Sequence, residues 1–244
     1  MKRSKKVVAF TLAATMLFGN VVSVFAADGD VDSTNNKITF KSGDGYEVTD
    51  PVDPEDPDVN ITPDPEKEKP TGNTGELRLD VVPAFDFGTQ EITTKDKSYD
   101  AELPVEAGGD KVPYYVQVTD VSGTGEGWKI KAKLTDQFSD GTHELNGAAI
   151  ILSNVAAESQ TGTVVPSSVN SGTLQNDGSS LKIAAAQANE GMGVTAVRFG
   201  DTPRDGRTSD TAKESVNLTI PAETQVYKST YKATIKWTLE ATPD

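Results

Sequence analysis

The chain has 244 residues and a formal net charge of −14, with 37 acidic against 23 basic side chains. That balance argues against a general nucleic-acid binder, which needs a basic surface to neutralise phosphates. Cysteine is absent, which excludes a disulfide framework and any thiolate metal site.

Residues 1–26 have the three parts of a secretory signal peptide. Lys2, Arg3, Lys5 and Lys6 give a basic start, Val7 to Val24 an apolar run, and Val24 and Ala26 the small residues expected before a cut after Ala26. The alternative is an uncleaved membrane anchor, but Thr15, Gly19, Asn20 and Ser23 interrupt the run. The chain is therefore expected to be secreted, with no transmembrane segment after cleavage. No lipobox cysteine is available, and the C-terminal Glu240 to Asp244 does not resemble a sorting signal. Retention at the cell surface is then expected to be noncovalent.

From 27 to 76 the composition turns acidic and Pro-rich, with Pro51, Pro54, Pro57, Pro63, Pro65 and Pro70 in a loose rhythm. Such a segment buries too little apolar surface to offset its ordering entropy, so an extended, disordered linker is expected. Ile38-Thr39-Phe40 is a short apolar piece within it, able to pair as an edge strand or to stay loose. The folded domain is expected at 77–244, opening with Leu77, Leu79 and Val81 in alternation with Arg78, Asp80 and Val82.

Further strands are expected at 113–119, 147–152, 194–199 and 216–220, with 95–98 and 200–211 as turns. The Ala-rich 181–188 is ambiguous between helix and strand; Lys182 alternating with Leu181 and Ile183 favours strand. Residues 153–180 form a long Ser, Thr, Asn and Gly-rich excursion. About eight to ten short strands without a long amphipathic helix predict an all-β, antiparallel β-sandwich, Ig-like or a distorted barrel.

Two strands share one design. Trp128, Ile130, Ala132 and Leu134 alternate with Lys129, Lys131 and Lys133. Tyr231, Ala233, Ile235, Trp237 and Leu239 alternate with Lys232, Thr234, Lys236 and Thr238. Period 2 places the apolar set of each on one face and the lysines on the other. Tryptophan on an apolar face is usually core; the sharper alternative has Trp128 and Trp237 stacking on a ligand. The lysine rows are solvated faces or, if the strands lie close together, a meeting place for anionic polymers.

Trp128-Lys129-Ile130 and Trp237-Thr238-Leu239, together with Gly75-Glu76-Leu77-Arg78-Leu79, Phe87-Gly88 and the acidic Pro51-Val52-Asp53-Pro54 lead, resemble the WxL-domain family of Gram-positive surface proteins. The first motif departs from the strict pattern by having Ile130 in place of leucine. The resemblance implies noncovalent attachment to peptidoglycan in the cell wall. It also implies partnership with other WxL proteins and membrane-anchored WxL-interacting proteins, and a part in adhesion. The wall-contact candidates are Trp128, Ile130, Trp237, Leu239, Lys129, Lys131, Lys133, Lys232 and Lys236.

Catalysis is not expected. The single histidine, His143, has no nucleophile and orienting acid marked out beside it. Asp201, Asp205 and Asp210 do not follow a calcium-loop spacing, so neither metal nor cofactor is expected. Two other classes stay open: a fimbrial or matrix subunit built by strand addition, and a secreted carbohydrate-active enzyme working through two carboxylates.

Overall fold

A computed structural model describes residues 36–242 except Asp44, Tyr46 and Asp205. The signal-peptide expectation lies outside these residues, as does the linker before residue 36. Residues 1–41 form a unit separate from 42–244. Within its described part, Ile38-Thr39-Phe40 forms no strand, and Ile38 and Phe40 are exposed.

In chain order the strands are β1 (Val52–Asp53), β2 (Asp56–Asn60), β3 (Glu68–Pro70), β4 (Leu77–Pro83), β5 (Lys97–Asp100), β6 (Tyr115–Asp120), β7 (Trp128–Ser139) and β8 (Ala149–Leu152). They continue with β9 (Val155–Ser159), β10 (Ser168–Val169), β11 (Gly172–Leu174), β12 (Leu181–Ala186), β13 (Gly193–Phe199), β14 (Val216–Ile220) and β15 (Lys232–Glu240). A single helical turn, α1 (Ala212–Ser215), precedes β14. Besides the β1-β2 hairpin there are three sheets, ordered β3-β4-β6-β13-β9, β10-β12-β7-β15 and β11-β8-β14-β5. Every pairing is antiparallel and none closes a barrel, so the fold is an all-β sandwich.

One apolar core unites the three sheets. Leu79, Val116, Val118 and Phe199 come from the five-stranded sheet, Trp128, Ile130 and Ile183 from the second, and Ile150, Leu152 and Leu218 from the third. The excursion at 153–180 is built into this plan. Its three strands, β9, β10 and β11, each supply an edge to a different sheet.

The domain starts earlier than Leu77. Residues 49–61 form a strap over the outer face of the five-stranded sheet, where Val52 packs with Val81, Tyr115, Val194 and Ala196 in a second apolar cluster. This corrects the expectation of a disordered linker up to residue 76. The apolar content is low, as composition indicates, but ion pairs hold the strap. Arg204 pairs with Asp53 and Glu55, Arg207 lies 3.2 Å from Glu55, and Thr202 donates its amide to Glu55 at 3.0 Å. Gln117 receives the Val52 amide at 2.9 Å and donates to the Asp50 carbonyl at 3.0 Å.

All six residues of β6 are buried because both faces of its sheet are covered. A bulge in β4 divides its apolar residues between those faces. Leu79 is opposite Val118, but Val81 is opposite Gln117, so Val81 faces the strap while Leu79 enters the main core.

Under the strap lies Glu68, fully buried, with neither carboxylate oxygen in a hydrogen bond. Burial pushes its pKa up to about 8. The nearby Asp64 backbone offsets the rise only in part, and the Asp64, Glu106 and Asp53 carboxylates add to it. Tyr115, whose buried hydroxyl is likewise unpartnered, is also raised by burial.

Candidate functional site

The two tryptophan strands are immediate neighbours. β15 runs antiparallel to β7, with Trp237 opposite Ala132, Thr238 opposite Lys131, Leu239 opposite Ile130 and Glu240 opposite Lys129. Directly opposed residues share a face, so both tryptophans lie on the core side and the lysine rows merge on the other.

On its other side β7 is held close to β12. Gly127, just before β7, has φ +83°, and a Cβ there would lie 2.2 Å from the Ala186 carbonyl oxygen. Only glycine lets β12 and the start of β7 approach so closely. Trp128 then projects into the core, where its Nε1 donates to the Gly191 carbonyl at 3.0 Å.

Burial separates the candidate contacts. Trp128 and Ile130 are fully buried and present no surface to a ligand. Trp237 and Leu239, on the edge strand, are half-buried against the core, with the Trp237 ring centroid 6.4 Å from that of Phe199. Lys129 is buried and lies 3.2 Å from Glu240; Lys131 is half-buried and lies 2.9 Å from the same carboxylate. Glu240 is held below the usual carboxylate range by its bonds to Lys131 and Lys129.

The remaining lysines define a different arrangement. Lys133 lies directly opposite Lys236, and on the other side of β7, Lys182 lies opposite Lys131. Lys236 and Lys232 are exposed, and Lys133 and Lys182 half-exposed. Among the described residues Lys133, Lys182 and Lys236 form no ion pair; Lys133 acts on Asp177 only through its field. Like charges directly opposite one another destabilise a sheet. Two such pairs on one face of a protein of net charge −14 form a local basic surface of the kind that attracts anions.

Lys182 is absent from the sequence-based set, although its alternation with Leu181 and Ile183 was the available signal. Glu240 is also absent from it, at the outward position that closes the second row.

Other sequence candidates are occupied structurally. Asp140 accepts the amides of Thr142 and His143, at 2.8 and 2.7 Å, and its carboxyl is held well below the usual range. His143 Nδ1 lies 3.2 Å from the same carboxylate. Asp201 pairs with Arg198 and Asp210 with Lys213, while Asp205 lies outside the described residues. Among the described residues no helix is long and apolar enough to cross a membrane.

The family model described as "WxL domain surface cell wall-binding" matches residues 27–243. No curated protein and no solved structure matches.

Proposed function

The chain belongs to the WxL domain surface cell wall-binding family, and from that membership we propose that it attaches noncovalently to peptidoglycan-containing wall without turning it over. The lysine face of β12, β7 and β15 meets anionic wall polymers. The observation that carries this reading is the like-charge opposition of Lys133 and Lys236, with Lys182 adding a further charge beside Lys131, which Glu240 already pairs. A face arranged at a cost to its own sheet fits a polyanion that relieves the repulsion. Trp128 and Ile130 serve by holding that face on the core.

A double substitution, Lys133→Glu with Lys182→Glu, separates binding from folding because it moves the two in opposite directions. The Lys133–Lys236 repulsion becomes attraction, so stability is expected to rise by roughly 0.5–1 kcal/mol, the Lys182 change adding little because Lys131 already pairs with Glu240. Retention on walls carrying teichoic acids at low salt is expected to fall at least about tenfold, with the difference from wild type shrinking as salt screens the charges. Unchanged retention with unchanged salt dependence would remove the anionic polymer from the reading. Pull-down on walls stripped of teichoic acids measures the peptidoglycan share, and absence of released product checks the non-catalytic part.

A second reading concerns protein partners. β15 is the last strand of its sheet, and among the described residues no strand pairs with its outer edge. Strand addition at such an edge suits surface complexes with other WxL proteins or membrane-anchored WxL-interacting proteins, and through them adhesion. Co-elution with a sister WxL protein in size-exclusion chromatography is expected. Separate elution at micromolar concentrations counts against it.

A further inference from the structure

We propose that the groove between residues 85–95 and the 221–231 connection is a binding cleft for an uncharged saccharide, with the Tyr227 ring as its platform. This rests on the wall-attachment reading and deepens it by giving the neutral glycan a place distinct from the lysine face. The groove holds about 480 Å³, within the usual range for small-ligand clefts. Phe87, Tyr99, Tyr227 and Tyr231 line it, with Gln90 and Thr230 among its uncharged polar side chains. Among the described lining residues two acids, Asp86 and Glu91, balance two lysines, Lys95 and Lys228. In a chain of net charge −14 that neutrality suits a ligand without charge.

The platform is braced by the protein's own side chains and backbone. The His143 ring stacks on Tyr227 with centroids 3.9 Å apart and planes 27° from parallel. Asp140 anchors His143 through its backbone and its ring, as described above. The Tyr227 amide donates to the Tyr231 hydroxyl oxygen at 3.0 Å, closing the turn beneath it. Rigidity gained in advance lowers the ordering cost of binding. Even so, Tyr227 remains 40 % exposed. An aromatic ring braced on one side and open to a groove of hydroxyl and amide groups offers both halves of sugar recognition. The ring takes the apolar C–H face of a pyranose, while Gln90 and Thr230 exchange hydrogen bonds with its hydroxyl and acetamido groups.

The test is titration of the protein with a β-1,4-linked N-acetylglucosamine tetrasaccharide, following the ring resonances of Tyr227 and His143 by NMR. Saturable shifts are expected, with affinity reduced about tenfold or more in Tyr227→Ala and kept within about threefold in Tyr227→Phe. The Lys133→Glu, Lys182→Glu protein is expected to bind the tetrasaccharide like wild type, whatever its retention on charged walls. No saturable shift at millimolar sugar, or equal affinity for wild type and Tyr227→Ala, would overturn the cleft. Wall retention persisting in that case leaves the attachment reading standing, so the two failures are distinguishable.

Discussion

Replacing Trp128 by alanine is expected to cost about 3–5 kcal/mol of stability. The side chain is fully buried and its indole N–H is bonded to the Gly191 carbonyl. Against a typical domain stability of about 5–15 kcal/mol, this is a large share of the total. Trp237 gives the contrasting case. Part of its surface stays open on the edge strand, so Trp237→Ala is expected to cost less, about 2–3 kcal/mol. Chemical denaturation separates the two: a midpoint for Trp128→Ala equal to wild type would contradict its place in the core. Wall retention of Trp128→Ala should follow the folded fraction, whereas any loss in the folded Trp237→Ala protein reports on the edge strand itself.

Glu68→Gln is expected to stabilise the domain by about 3 kcal/mol at pH 7 and to change little at pH 4, at about 1.4 kcal/mol per pH unit of differential protonation. The sign follows from the raised pKa. Glu68 titrates near 4.5 in the unfolded chain and near about 8 in the folded one. Below pH 4.5 both states hold the proton and the buried acid costs nothing extra. Between the two values only the folded state holds it, so stability falls as pH rises and the loss is complete once the folded carboxyl ionises. Glutamine cannot ionise, and its stability curve should lose that slope. Urea midpoints at pH 4, 7 and 9 measure it; parallel curves for the two proteins would show that Glu68 is not buried beneath the strap.

How much of this was legible depended on how each element is held. The β7 and β15 strands carry long, unbroken alternation, and the structure places their apolar sets on the core as period 2 requires. Their adjacency in one sheet is a long-range fact that no local pattern contains, and with it came the opposed lysines and the inclusion of Lys182. β4 was harder. Its alternation predicted one face for Leu79 and Val81, but a single bulge divides them. The strap was least legible because an acidic Pro-rich stretch looks unable to fold. What holds Asp53 and Glu55 is Arg204 and Arg207, two arginines in a region that composition marks only as turn. β5 and β9 to β11 are strands of two to five residues, too short for alternation to stand out from the surrounding polar sequence.

The strap also has a history in time. Its ties from Glu55 to Thr202 and Arg207 span 147 and 152 residues of chain. At roughly 5–20 residues per second of synthesis, Glu55 exists for on the order of ten to thirty seconds before Arg207 is made. Contacts of such range close late in folding, because the loop between them must be ordered first. The piece of the domain made first is therefore expected to be the piece seated last. Until then Val81, Tyr115, Val194 and Ala196 wait uncovered.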